Sequence, residues 1–352
     1  MKPFNRPPAL FACFCIFLSL SACDHDLSIG SSVHEDGSIE RTIVLYDADS
    51  SLALHNIFNV NEAGGWETTI QPSVSNKIEG APKSTQNITF KKHFASAADA
   101  NLEMTGGADS LFHIRSGFEK KPGWFYTYTE YSDTYLALNR FHALPLEDYF
   151  TTEDFTFIDR LPPEGKAITK ADSLYLAMLN EKIYEVYGGR TIFEELFKHT
   201  LSTMRKYNIE SRWEDSLMRR KEVIYKKFLE DGNDENEHLW TTANLLHIPL
   251  PPSAQEDFRK KSKEVESRIE LISEASSGKF KHMIHMPGRV VETNADSVNH
   301  NLLLWNPPVI KFLLTDYTMT ARSRKMNVWP VVISLLVVAG TLILFFLRRR
   351  AV

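Results

Sequence analysis

The run VWPVVISLLVVAGTLILFFL, from Val328 to Leu347, contains no charged residue and is followed by Arg348, Arg349 and Arg350. As a helix rising about 1.5 Å per residue it reaches about 30 Å, the thickness of one hydrocarbon core. It is apolar around its whole circumference, so the sequence predicts a transmembrane helix over 328–347, with Trp329 and Pro330 at its interfacial end and a short cytoplasmic tail at 348–352. Everything upstream then folds at a membrane surface.

The other end carries a second membrane signal. Lys2 and Arg6 precede an apolar stretch from Ala9 to Leu20 that is too short to span a bilayer, the layout of an export signal. The stretch ends in Leu20-Ser21-Ala22-Cys23, which resembles the lipobox of bacterial lipoproteins. In that family the cysteine thiol takes a diacylglyceryl group and a peptidase cuts just before it. The resemblance implies that residues 1–22 are removed and that Cys23 is the lipid attachment site. Of the three cysteines, Cys13 and Cys15 lie inside the signal, so the mature chain would keep Cys23 alone. Disulfide frameworks, CxxC redox motifs and cysteine zinc sites are thereby excluded.

Orientation does not follow from local charge, because Arg322, Arg324 and Lys325 before the span balance the arginines after it. An exported N-terminus breaks the tie and places the main domain in the periplasm, with the three earlier basic residues facing outer-leaflet phosphates. In the lipoproteins this chain resembles, an aspartate after the lipidated cysteine, here Asp24, is associated with retention in the inner membrane, which would put both anchors in one bilayer.

Between the anchors the pattern of period two, then about three and a half, then two again predicts an α+β fold. A mostly antiparallel sheet is built from N- and C-terminal segments around a multi-helix insertion, with the transmembrane helix at the end. The expected regions are 23–163, rich in β-structure; 164–278, the helical insertion, starting after Leu161-Pro162-Pro163; and 279–327, returning strands. Leu27, Ile29, Ser31 and Val33 alternate before a turn at Glu35-Asp36-Gly37, and Ile39 to Tyr46 complete a hairpin. Further strands are expected around Trp66–Ile70 and Asn87–Phe94, and a short helix over Ser96–Met104.

The stretch from Pro122, PGWFYTYTEYSDTYLALNRF, is the richest β signal, with Trp124, Tyr126 and Tyr128 on one face. Capping boxes are expected at Thr191/Glu194, Ser211/Glu214 and Ser253/Glu256, with helix stops at Gly188, Gly232 and Gly278. Phe258, Val265, Ile269 and Ile272 form an apolar stripe suited to core packing. Strands return over Phe280–Val291 and Leu302–Tyr317, with Asn294–Asn299 as the turn between them. The segment PGRVVETNADSVNHNLLLW, from Pro287 to Trp305, resembles the final hairpin of the LppM-type lipoprotein domain in its PG, TN and W pattern. That resemblance implies an envelope-facing β-rich domain with an apolar or lipid-binding role and carries over no catalytic residue.

The search for chemistry is largely negative. GxSxG, HExxH, Walker and Rossmann glycine patterns are absent, and a net charge of -5 without a basic stripe gives no nucleic-acid footprint. His282 and His285 stand three apart on an expected strand and therefore point to opposite faces, which argues against a shared metal. The acidic segment Asp231–Glu237 lacks the glycine and the glutamate of a calcium loop, carrying Asn236 and Thr242 there. Asp24-His25-Asp26 reads as a polar spacer. Asp-Ser-aliphatic triplets at Asp109, Asp172, Asp215 and Asp296 resemble a bacterial O-glycosylation sequon, although helix starts and turns account for the last three equally well.

The sequence thus leads to a non-catalytic envelope module without cofactor or metal. Its partners would be the membrane and an envelope protein or lipid, its possible binding surface Trp124, Tyr126 and Tyr128. The alternative is an anchored envelope hydrolase, for which Glu35, Asp36, His113 and Asp133 are the acid and histidine candidates.

Overall fold

The computed structural model describes residues 26–48, 58, 60, 62–72, 86–105, 112–141, 143–230 and 251–350. The chain is α+β, and its strands come from both ends of the sequence. It divides into two compact units, one comprising 25–136, 279–307 and 316–352, the other 137–278 with 308–315.

In the β unit, β1 (Asp26–Val33) and β2 (Ile39–Ala48) pair antiparallel, with Leu27, Ile29, Ser31 and Val33 of β1 all buried on one face. Asp36 accepts from both the backbone N–H and the hydroxyl of Ser38 and so shapes the turn between them. β3 (Glu67–Pro72) and β4 (Gln86–Phe94) extend the sheet beyond β2. On the other side of β1 lies β7 (Lys279–His285), paired parallel, followed by β10 (Leu302–Trp305) and β9 (Ser297–Asn299). The parallel β1–β7 pairing is compatible with the long excursion between them, because parallel neighbours need a long crossover.

A second, four-stranded antiparallel sheet has the order β5 (Ile114–Pro122), β6 (Tyr126–Tyr135), β11 (Tyr317–Met326), β8 (Arg289–Thr293). The inner faces of the two sheets meet, with Phe112 stacked on Phe280 and Tyr135 edge-on to His282. Helix α1 (Ala97–Met104), capped by Ser96, buries Ala100 and Met104. Its Asn101 accepts from the Ser116 N–H and donates to the Ser116 carbonyl, which occupies backbone groups of edge strand β5.

The helical unit comprises α2 (Thr152–Arg160), α3 (Lys170–Glu181), α4 (Gly189–Lys206), α5 (Ser211–Glu230) and α6 (Pro252–Ser277). Helix starts earlier than the Pro162-Pro163 break, because Thr151 and Asp154 form a reciprocal capping box at α2. Asp154 then also accepts from Tyr175 and Lys182, which brings α3 onto α2. A π-helical turn, Lys182–Gly188, carries α3 into α4 without a break. Gly188 is therefore not a stop and Thr191 is not a cap. Thr191 is buried, and Glu194 instead pairs with Arg190 and Lys221. Burial of Ile183, Tyr187 and Phe193 in this segment outweighs the local stop signal. At α6 the cap is Pro251 with Pro252 opening the helix, and Ser253 makes no capping bond. The stripe of α6 packs as expected: Phe258 and Val265 join Phe141 and Leu196 in a core, with Ile269 and Ile272 against it.

Three C-terminal expectations change. The single strand over Phe280–Val291 is two, β7 and β8, which belong to different sheets. Pro287-Gly288 cuts between them, since proline offers no ladder N–H and Gly288 has φ of 82°. The expected turn at Asn294–Asn299 contains β9, and the reversal comes at His300, whose φ is 57°. The expected strand over Leu302–Tyr317 stops at Trp305, interrupted by Pro307-Pro308 and a helical turn at Ile310–Leu313. Tyr317 instead opens β11.

The PG, TN and W residues each have a structural task here. Asn294 accepts from Trp305 Nε1 and from the Thr320 N–H, and donates to the Thr318 carbonyl. β11 leads through Asn327 into α7 (Val328–Arg350), whose Val328–Arg348 segment has mean hydropathy 2.7 and is 6% buried, long and apolar enough to cross a membrane.

A Cβ at Gly288 would lie 2.7 Å from the Arg324 carbonyl oxygen, in a backbone conformation L side chains avoid. Gly288→Ala is expected to destabilise the β unit by about 1–3 kcal/mol by separating β8 from β11. Urea unfolding of the full chain, followed by tryptophan fluorescence, measures this.

Candidate functional site

The inner faces of the two sheets hold a constellation of polar residues that an apolar core would not require. Arg41 on β2, Ser31 on β1 and His282 on β7 face Asp133, Tyr131 and Tyr135 on β6 and Ser116 on β5. The local reason is strand alternation. Arg41 shares the inward face of Ile39, Ile43 and Leu45, and Asp133 shares that of Tyr131 and Tyr135, so each charge is carried inside by its apolar neighbours.

Asp133 Oδ1 accepts from Arg41 Nη2 (2.9 Å), Ser116 Oγ (2.6 Å) and Tyr131 Oη (2.8 Å). Its Oδ2 accepts from Arg41 Nη1 (2.8 Å), Ser31 Oγ (2.6 Å) and His282 Nε2 (3.0 Å). Arg41 also donates to Ser31 and Ser116, both at 2.7 Å, leaving Nε without a partner. A carboxylate only accepts, so His282 carries its proton on Nε2, and Nδ1 accepts from Tyr135 Oη at 2.8 Å.

Electrostatics fit a neutral whole. Burial pushes the Asp133 carboxyl up, but the Arg41 guanidinium and the His282 hydrogen bond outweigh it and hold it well below the usual carboxylate range. Burial lowers the His282 pKa, which Asp133 only partly offsets, so the imidazole is neutral. Burial, reinforced by the Asp133 charge, raises both Tyr131 and Tyr135. One cation, one anion and a neutral ring leave no net charge in the core.

The residue types are those of a hydrolase triad, but the wiring is not. Ser31 and His282 both donate to Asp133 instead of to each other, so the imidazole cannot accept the serine proton. Arg41, Asp133 and His282 have no exposed surface, so the cluster acts as a staple between sheets. Of the acid and histidine candidates, Asp133 alone enters it. Glu35 pairs with Lys325, Asp36 caps Ser38, and the His113 carbonyl accepts from the Leu136 N–H. His282 is buried while His285 is exposed, on opposite faces, and no metal-holding cluster of His, Cys, Asp and Glu occurs among the described residues. Cys23, Asp24-His25, Asp109-Ser110-Leu111 and Asp231–Glu237 lie outside the described residues.

The accessible feature is the outer face of the four-stranded sheet. A shallow depression of about 490 Å³ lies there over Gly117, Ser132 and Thr320, flanked by Glu119, Glu130, Glu292 and Arg322. Arg322 bridges Glu130 and Glu292 and lies 4.8 Å above the Tyr128 ring, while Arg324 lies 4.7 Å above Tyr126. Tyr126 and Tyr128 thus share the outer face, each under an arginine. Trp124 does not lie on the strand. Pro122-Gly123 turns the chain there, closed by the Gly123 N–H to the Tyr126 carbonyl at 2.9 Å, and Trp124 packs edge-on to Trp329 at 4.6 Å.

Asp133→Asn leaves the Arg41 charge buried without its counterion and is expected to cost about 3–5 kcal/mol of stability. Arg41→Leu combined with Asp133→Leu is expected to cost less than the sum of the single changes, by urea unfolding, because neither charge is then stranded. Because the folded-state pKa of His282 is depressed, its contribution is complete above the unfolded value of about 6.5 and is lost as pH falls below it, with a slope approaching about 1.4 kcal/mol per pH unit. Asp133 adds a loss only at far lower pH. His282→Gln is expected to remove the slope just below pH 6.5, as read from unfolding midpoints across pH. No family model, no curated protein and no solved structure matches the chain.

Proposed function

We propose that the protein is an exported lipoprotein anchored at both ends, through acyl chains on Cys23 and through α7, whose periplasmic β unit acts as a non-catalytic binding or structural module of the bacterial cell envelope. The observation that carries this reading is α7 itself, an almost wholly exposed apolar helix that continues directly from a strand of the folded β unit. An exposed apolar surface of this kind is costly in water and stable in hydrocarbon.

Binding rather than hydrolysis is supported by the contrast between the two polar clusters. The one with Ser, His and Asp is sealed as a staple, whereas the open depression is flanked by carboxylates around a single arginine and offers shape and charge to a ligand. Acylation would add about 0.8 kcal/mol per buried methylene, so two or three long chains on Cys23 would anchor the N-terminus stably, although less firmly than the helix anchors the other end.

Mass spectrometry of the N-terminal peptide is expected to find Cys23 as the first residue and acylated, and Cys23→Ala is expected to accumulate the precursor. Protease added to spheroplasts is expected to digest the region between the anchors while a tag after Val352 stays protected. Cleavage of the tag with the central region intact would invert the topology, and an unmodified Cys23 would remove the lipid anchor.

A further inference from the structure

The turn between β5 and β6 is tied to the entrance of α7 by one residue. The Asn327 N–H donates to the Phe125 carbonyl at 2.8 Å, its Nδ2 donates to the carbonyls of Gly123 (2.8 Å) and Trp124 (3.1 Å), and its Oδ1 accepts from Thr127 Oγ1 at 2.8 Å. The hairpin tip therefore lies where the apolar helix begins. Trp124 is 57% exposed and Phe125 49%, beside the exposed Met326, Val328 and Trp329. Exposed aromatic side chains gathered at the end of an apolar helix suit the interfacial belt of a bilayer.

Above this apolar tip the outer face of the sheet is banded by charge. Strand registers put Lys121, Tyr128, Arg324 and Arg289 in one row across β5, β6, β11 and β8. The next row, further from α7, is Glu119, Glu130, Arg322 and Glu292. Lys121 is neutralised by Glu119 and Glu130 of that second row. Arg289 and Arg324 are directly opposite each other and have no carboxylate partner among the described residues. Like charges facing across a strand pair are unfavourable unless an anion lies between or beside them. At about 3.4 Å per residue, Arg324 stands about 10 Å from Asn327, a depth that phosphate groups of a bilayer occupy or reach across a Debye length.

We propose that the hairpin tip and the Arg289–Arg324 pair form a docking surface for the acidic headgroups of phospholipids in the bilayer that α7 crosses. This inference rests on the membrane-anchored reading above. Trp124 and Phe125 enter the interfacial layer, the arginines share headgroup phosphates above it, and the acidic row is kept off the surface by repulsion. The sheet is thereby held at a fixed depth, with its depression facing along the membrane instead of into it.

The test uses the full chain in nanodiscs of phosphatidylcholine alone or mixed with phosphatidylglycerol, with bound lipid counted by native mass spectrometry. The wild-type protein is expected to retain phosphatidylglycerol selectively. Arg289→Gln with Arg324→Gln is expected to lower its apparent affinity for phosphatidylglycerol about 25-fold, about fivefold for each arginine, and to leave phosphatidylcholine unaffected. Glu119→Gln, on the same face, is expected not to weaken it. Brominated acyl chains are expected to quench less fluorescence in Trp124→Ala than in the wild type. If the double arginine variant enters the discs and keeps its selectivity, or if Trp124→Ala leaves the quenching unchanged, the docking surface is overturned while the anchoring stands. If the full chain enters discs of neither composition, both are overturned.

Discussion

The bidentate pair between Arg41 and Asp133 joins the two sheets of the β unit, and the rest of that unit is arranged to make the pair affordable. Two charges removed from water cost several kcal/mol each, and their attraction repays this only where the remaining donors and acceptors are filled. Ser31, Ser116, Tyr131 and His282 fill those of Asp133, and Tyr135 fills the second nitrogen of His282. What the cluster contributes is register more than net stability. Sliding β2 by one residue would carry Arg41 to the outer face and strand Asp133, so only one alignment of the sheets satisfies both.

The second constraint is the continuity of β11 with α7. β11 is a central strand of its sheet, flanked by β6 and β8, so a pull on the apolar helix is resisted by ladders on both sides. Gly288 lets the Pro287-Gly288 turn approach the Arg324 backbone, and Asn327 binds the neighbouring hairpin tip. The helix is thus an extension of the folded unit and not an appendage on a linker, which is why the charge bands of the sheet have a defined direction relative to it.

Some of the missing detail was present in the sequence as a broken pattern. An arginine at the inward position of Ile39-Glu-Arg-Thr-Ile43, and an aspartate at that of Tyr131-Ser-Asp-Thr-Tyr135, are polar interruptions on apolar faces, the signal of a buried pair. Neither strand alone says which partner it meets, since Arg41 and Asp133 are ninety-two positions apart. β5 is not legible in the sequence because Phe118-Glu-Lys-Lys-Pro122 alternates poorly at an edge whose outer residues are charged, and Gly188 does not stop its helix because a local glycine signal is weaker than burial of the residues around it.

By itself the sequence determined what depends on short-range chemistry: the apolar helix from Val328, the β1–β2 hairpin, the short helix ending at Met104, the core stripe of α6, and an α+β order in which helices interrupt strands. Periodicity, caps and turns act over a few residues, so they can be read from a few residues. Only the tertiary structure decided that Phe280–Val291 supplies one strand to each sheet, that Asp133 is a sealed staple, and that Trp124 leaves its strand to meet Trp329. Those outcomes depend on which distant segments pair, and strand pairing is set by the joint burial of both faces, a property that no single segment carries.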